Sequence, residues 1–202
     1  TITFTNISDN PAPSGGFVIG ITNLADWTTL TTTNNIIVDG FATGGNTRCL
    51  KFSTLSSTNY LTSPITIVGD ANNITIKNCE ILHAGATSGS SNSYALQVRT
   101  RLTTPTNYVP DNVIIDNNII QATAKGTSQT IAIHNSNTPT VFPTGIVIKN
   151  NELTASTRGV FLNYSGDTDI FNNTIRINQA TSGYTSGGIV ANIVGSALKT
   201  TN

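Results

Sequence analysis

A short strand motif that ends in a pair of turn residues, usually two asparagines, recurs along this chain and constrains its fold more than any other feature. Each copy contains alternating aliphatic residues, the turn pair and a further apolar residue. The copies occupy residues 34–41, 72–81, 111–120, 144–153 and 167–175. Self-similarity of this kind is the sequence signature of a solenoid, in which each repeat buries its apolar face against the next.

A second motif, a stretch of four mostly apolar residues, falls between copies of the first. It occupies residues 49–52, 95–98, 131–134, 159–162 and 188–191. The first motif recurs at intervals of 38, 39, 33 and 22 positions, and the shortest interval approximates a bare coil. The longer intervals carry inserts rich in Gly, Ser, Thr, Asn and Pro, which mark loops.

The apolar runs are four to five residues long and lack helical spacing, which favours strands. The pattern predicts an all-β chain that forms a right-handed parallel β-helix of about five coils with uneven loops. Residues 34–192 would form the repeats. Residues 1–33 would be an irregular stretch or a first coil, and residues 193–202 would be a C-terminal end at which the array is truncated.

Alignment of the copies predicts which residues stack, because successive coils lie about 4.8 Å apart. One inner column would contain Ile36, Ile74, Val113, Ile146 and Thr168, and the other Val38, Ile76, Ile115, Ile148 and Ile170. The turn column would contain Gly40, Asn78, Asn117, Asn150 and Asn172, and asparagine suits it because it tolerates the left-handed backbone and can form amide ladders. An outer column of alternating sign, which favours pairing between neighbouring coils, would contain Asp39, Lys77, Asp116 and Lys149, followed by Phe171.

The asparagine-rich turn after a short aliphatic strand resembles the right-handed β-helix repeats of the pectate-lyase-like superfamily. The enzymes of that superfamily are polysaccharide lyases and glycoside hydrolases, so the resemblance would imply such chemistry if it extended to them. Inverting hydrolysis needs two carboxyl groups roughly 6.5–9.5 Å apart. Asp39 and Asp116, two coils apart, are therefore candidate catalytic residues, and Glu80 and Glu152 have the same separation. The intervening Lys77 favours a charge ladder for Asp39 and Asp116 instead.

Calcium is the one cofactor that the resemblance implies, because lyases of this superfamily use carboxylate-bound calcium to acidify the sugar. Asp167 and Asp169 are the closest carboxylate pair in the sequence and hence the candidate metal ligands. Calcium requires several oxygen ligands, so an ordinary Asp-rich turn is the competing interpretation. Otherwise we expect no cofactor.

A polar column that follows the second motif predicts a binding patch. Its members are Ser53, Arg99, His134, Asn163 and Asn192, with Arg101 close in sequence. Stacked on one face, Arg99, Arg101, His134 and Asn163 would suit a glycan or an anionic sugar. The alternative is a set of unrelated surface residues, because nothing in the column supplies a nucleophile for His134 to activate.

Composition excludes several classes of partner. Charged residues make up 10% of the 202 residues and balance to zero, so no long-range field attracts nucleic acid or an anionic membrane. No apolar run approaches the roughly 18 residues of a membrane span. A surface of Thr, Asn and Ser favours a secreted or cell-surface location. Cys49 and Cys79 are compatible with one disulfide in an oxidising compartment, and equally with two unpaired thiols.

These features predict an extracellular β-helical surface or structural protein, such as an adhesin or filament segment, whose loops contact glycans or partner proteins. A polysaccharide lyase or glycoside hydrolase is the alternative. The chain contains no Met and opens on an alternating strand pattern, which is typical of a piece of a longer precursor. Solenoid ends expose open edges, so we also expect axial self-association or continuation into a longer chain.

Overall fold

Short strands make up the six coils of the structure, a computed structural model. It describes residues 2–6, 17–20, 33–41, 47–54, 63–84, 92–99, 101–102, 107–123, 127–134, 141–178, 186–194 and 198–201. Coils one to three contain β1 (Ile2–Asn6), β2 (Phe17–Gly20), β3 (Thr33–Asp39), β4 (Leu50–Thr54), β5 (Ile65–Val68), β6 (Ala71–Lys77), β7 (Glu80–His83), β8 (Asn92–Arg99), β9 (Arg101–Leu102), β10 (Asn107–Tyr108) and β11 (Asp111–Asp116). Coils four to six contain β12 (Ile119–Ala122), β13 (Thr127–His134), β14 (Ile146–Lys149), β15 (Glu152–Ala155), β16 (Arg158–Ser165), β17 (Thr168–Phe171), β18 (Thr174–Ile177), β19 (Gly187–Val194) and β20 (Leu198–Thr201).

Three parallel sheets of six strands run the length of the stack. Sheet A contains β1, β4, β7, β12, β15 and β18; sheet B contains β2, β5, β8, β13, β16 and β19; and sheet C contains β3, β6, β11, β14, β17 and β20. The chain visits sheets A, B and C in that order in every coil, and β9 and β10 form a small antiparallel pair beside the third coil. The predicted right-handed parallel β-helix is confirmed.

The inner columns of sheet C lie in the predicted register. Ile36 pairs with Ile74 and Ile74 with Val113, while Ile146 pairs with Thr168. Ile74, Ile76, Val113 and Ile115 are fully buried. Burial of each such side chain stabilises the fold by roughly 1.5–3 kcal/mol, so the columns make a large contribution to the stability of the stack.

The polar column of the second motif needs a correction, because β4 belongs to sheet A and Ser53 lies in that sheet. The member of sheet B in that coil is β5, whose Val68 pairs with Arg99. At the other end of the column a register shift after Leu162 pairs Asn163 with Ile193, so Asn192 is bypassed. Residues 49–52 resemble the sheet B strands in sequence because both alternate apolar residues. They do not occupy the same sheet.

The two residues of each Asn-Asn pair have different roles. The first forms the turn, and the second forms a buried ladder of side-chain hydrogen bonds. The first asparagine adopts the left-handed conformation, with φ of 58° at Asn78, 51° at Asn117, 57° at Asn150 and 54° at Asn172. This outcome confirms the predicted backbone of the turn. In the first coil Gly40 takes this place without the left-handed backbone, and a Cβ there would lie 2.0 Å from the carbonyl oxygen of Asn78, so no other residue fits without a shift of backbone.

The second asparagine points inward and forms the longer ladder. The Asn118 side-chain oxygen accepts from the backbone N–H of Cys79 at 2.9 Å, and its amide donates to Ile76 O at 2.9 Å and to Asn151 Oδ1 at 3.1 Å. Asn151 repeats this arrangement with Ile115 O and Asn173 Oδ1, both at 2.9 Å. Asn118 and Asn151 are 0% and 1% exposed, so these bonds satisfy backbone groups that water cannot reach.

Cys79 occupies the ladder position of the second coil in place of an asparagine. Its side chain is fully buried, and its Sγ lies 3.1 Å from Lys77 O. Burial is the main cause that raises the pKa of this thiol to about 12. Cys49 and Cys79 are both free in the structure.

Candidate functional site

The predicted charge column lies on the outer surface of sheet C in the predicted order. Asp39 pairs in register with Lys77, Lys77 with Asp116, and Asp116 with Lys149. Two ion pairs form along it, Lys77 Nζ to Asp39 Oδ2 at 3.0 Å and Lys149 Nζ to Asp116 Oδ2 at 3.4 Å. These contacts confirm the alignment of coils on which the column was predicted.

The two candidate catalytic carboxylates are also tied to the turn amides. Asn78 donates to Asp39 Oδ1 at 2.7 Å, and Asn150 donates to Asp116 Oδ1 at 2.8 Å. The hydrogen bonds from Asn78 and from the Phe41 backbone are the largest causes that lower the pKa of Asp39 to about 2. Glycoside hydrolysis needs a general acid whose pKa is raised, and Asp39 is shifted the other way.

Asp116 and Asp39 are thus placed two strands apart, as predicted, with the ammonium group of Lys77 on the strand between them. Glu80 and Glu152 are likewise two strands apart in sheet A, with Ile119 between them. Glu80 forms an ion pair with Lys51 at 3.5 Å. The geometry of the first pair favours the charge-ladder interpretation.

Asp167 and Asp169, the candidate calcium ligands, lie at the start of β17. Asp169 pairs in register with Val147 on one side and with Lys199 on the other. Asp167 is exposed, and its carbonyl oxygen accepts the backbone N–H of Ile146 at 3.1 Å. The residues that the structure describes contain no group of three or more His, Cys, Asp or Glu side chains arranged for a metal ion.

The candidate binding residues gather at one edge of sheet B. Arg99 pairs in register with His134, and the adjoining pair Ile133 and Leu162 places Asn163 on β16, next to the position of His134. Arg101 follows in β9, where it pairs with Tyr108. The backbone therefore brings Arg99, His134 and Asn163 to neighbouring strands, while the side chains of Arg101 and His134 lie outside the part of the structure that is described.

An aromatic cluster on the outer face of sheet B was not predicted. Tyr94, Ala132 and Phe161 are buried there and pack with Val190. The guanidinium of Arg158 lies 4.6 Å from the centre of the Phe161 ring, and burial raises the pKa of Tyr94 to about 12. The only signal in the sequence was Phe161. It stands at the outward position of the second motif, where the two preceding copies have Gln97 and Ala132.

Arg48 binds the turn column from a loop. Its Nη2 donates to the carbonyl oxygen of Asn117 at 3.0 Å and to the Asn117 side-chain oxygen at 3.1 Å. The guanidinium lies 5.9 Å from the centre of the Phe41 ring. Arg48 therefore links the first coil to the turn of the third, a role that its loop position in the sequence did not reveal.

Comparison with family models, with curated proteins and with solved structures found no match for this chain. The class that the structure defines is therefore that of its fold, a three-sheet right-handed parallel β-helix. Within the described ranges no helix is long and apolar enough to cross a membrane.

Proposed function

We propose that this chain is a β-helical structural segment of a secreted or cell-surface protein, of the adhesin or filament kind, whose loops contact glycans or partner proteins. The coils would belong to the pectate-lyase-like superfamily, on the strength of the short strand that leads into a buried asparagine ladder. Catalysis is not part of this proposal.

The observation that carries the proposal is the engagement of the candidate catalytic carboxylates in bonds between coils. Asp39 and Asp116 each bind a lysine of a neighbouring strand and a turn asparagine. These contacts hold the stack together, and the low pKa of Asp39 leaves it ionised over the pH range in which a glycosidase acid must hold its proton.

The contact surface in this proposal is the edge of sheet B where Arg99, His134 and Asn163 follow one another. Arg99 would supply a guanidinium for carboxylate or sulfate groups of an acidic glycan, which arginine binds in bidentate fashion.

The test measures glycan binding and glycan cleavage with the same preparation. We expect retention on an array of acidic glycans, a loss of at least tenfold in affinity for Arg99→Ala, and no loss for Arg176→Ala, which removes an exposed arginine from sheet A. Uronate-containing and neutral polysaccharides, with and without calcium, should release no reducing ends or unsaturated products. Cleavage that disappears in Asp39→Asn would refute the structural role and favour the enzymatic alternative.

A further inference from the structure

The outer face of sheet C is laid out in three columns that run along the axis. The first contains exposed asparagines, Asn35, Asn73 and Asn112. The second contains Ile37, Thr75, Ile114 and Val147, in register from coil to coil. The third is the charge column Asp39, Lys77, Asp116 and Lys149. We call this surface the C face.

The middle column is unusual because it exposes aliphatic side chains. Ile37 is 66% exposed, and Ile114 and Val147 are partly exposed. In the described strands of sheets A and B, no isoleucine, leucine or valine side chain exceeds the 37% exposure of Ile189. Apolar residues aligned in a row on a flat surface are typical of a protein contact site.

The charge column indicates that the partner is a second copy of the chain. When the column is reversed, each acidic position lies opposite a basic one. Read from the first coil the order is acid, base, acid, base; read from the fourth coil it is base, acid, base, acid. Two C faces that meet with antiparallel axes therefore place Asp39 opposite the partner's Lys149, and Lys77 opposite the partner's Asp116. The twofold axis would run along the strands, between β6 and β11.

The same twofold axis matches the other two columns. It places Ile37 opposite the partner's Val147 and Thr75 opposite the partner's Ile114, and it brings the asparagine columns together. Isologous contacts of this kind close on themselves and form dimers. We propose that the C face is a homodimer interface in which two β-helices pack side by side in antiparallel orientation.

The size of the face sets the expected strength. Four strands at about 4.8 Å spacing, and three columns at about 6.6 Å spacing, give a contact about 15 Å by 13 Å. Such an area, about 200 Å² per chain, lies below the range of stable specific interfaces, so we expect a weak dimer that forms only in the high-micromolar to millimolar range. Because charge pairs contribute, high salt should weaken it.

Sedimentation velocity over that concentration range tests the proposal. Wild type should shift from monomer to dimer and stop there. Ile114→Lys should remain monomeric, whereas Ile119→Lys should dimerise like wild type. Ile119 is a matched control, since it is a half-buried isoleucine on the outer face of sheet A, where two glutamates flank it in register.

The double variant Asp116→Lys with Lys149→Asp tests the charge pattern. It keeps the composition, the net charge and two acid–base pairs within the chain, and it gives up the Asn150 bond to Asp116 and places two lysines in register on β6 and β11. Its column reads acid, base, base, acid, which places like charges opposite each other throughout the dimer. We expect at least a tenfold loss of association, with an unchanged circular dichroism spectrum. A monomeric wild type, or association unchanged in Ile114→Lys or in the double variant, would overturn the proposal.

Discussion

The paired asparagines show how one residue type serves two purposes at adjacent positions. The first adopts the left-handed backbone of the turn, which is unfavourable for most residue types. The second is buried in the core, where every polar atom of its amide needs a hydrogen-bond partner. The inner ladder does so by bonding backbone groups that the turn would otherwise leave without partners. Buried amides at this position therefore stabilise the turn and the core at once.

Asn118→Ala tests the inner ladder. The change leaves Cys79 N–H and Ile76 O buried without their side-chain partner, and each such group costs roughly 1–3 kcal/mol, so we expect a loss of about 2–4 kcal/mol in the free energy of unfolding. Denaturant unfolding provides the measurement. Asn73→Gly is the control, because it removes two exposed ladder bonds, to Asn35 and from Asn112, and keeps the left-handed backbone, and it should cost less than about 1 kcal/mol. Equal losses in the two variants would contradict a special role for burial.

Asp39 makes the stack sensitive to acid. Its pKa falls from 3.8 to about 2 on folding, so its ionised form stabilises the folded state above pH 3.8, and this contribution disappears as the pH falls from 3.8 toward 2. We expect the melting temperature of wild type to fall over this window. Asp39→Asn should have a lower melting temperature at neutral pH and a weaker dependence on pH between 3.8 and 2. If the melting temperature falls equally steeply with pH in both proteins, groups other than Asp39 cause the acid sensitivity.

At the scale of strands and turns, the sequence predicted sheet C in detail and the other two sheets less well. Its strands β11, β14 and β17 end in Asn pairs that fix the alignment, so the columns from Ile36 and from Asp39 were correct. Sheet A was not recognised as separate because its strands β12, β15 and β18 follow an Asn pair immediately, as Ile119 does, and merge with the first motif. Sheet B strands share only apolar alternation, which β4 also has, and the assignment of Ser53 to their column was wrong.

Of the candidate site, the sequence predicted only the positions that follow from the pairing register of the strands. The neighbourhood of Arg99 and His134 followed from strand alignment. The shift that bypasses Asn192 did not, because a bulge adds a residue without any change in composition. The inner position of the second asparagine was also missed, since alternation across a turn cannot be read from strand periodicity.

At the scale of the whole molecule, stacked coils make contacts mainly with their neighbours, so stability is approximately additive along the axis. The interval from Ile146 to Thr168 is one bare coil, and its removal would bring β17 onto β11 and Asn173 onto Asn118. Coils with equivalent columns are then interchangeable units. Removal of that coil would also shorten the C face by one strand.

Deletion of residues 146–167 tests this interchangeability. We expect a folded β-helix by circular dichroism, with a lower unfolding midpoint and a smaller denaturant m-value, because less surface is buried. Deletion of residues 150–167 is the control, since it removes less than a full turn and misaligns every later strand. If both deletions unfold the chain to the same extent, the coils are not modular.

The direction of the amide ladders has an electrostatic consequence for stacks of any length. In the inner ladder each asparagine turns its side-chain oxygen toward the preceding coil, as Asn118 does toward Cys79. In the outer ladders the amide nitrogen faces the preceding coil, as Asn117 does toward Asn78 and Asn73 toward Asn35. The two sets of side-chain dipoles oppose each other. An added coil therefore contributes hydrogen bonds whose side-chain dipoles offset one another in part, so the axial field grows less with length than it would if all the ladders ran in one direction.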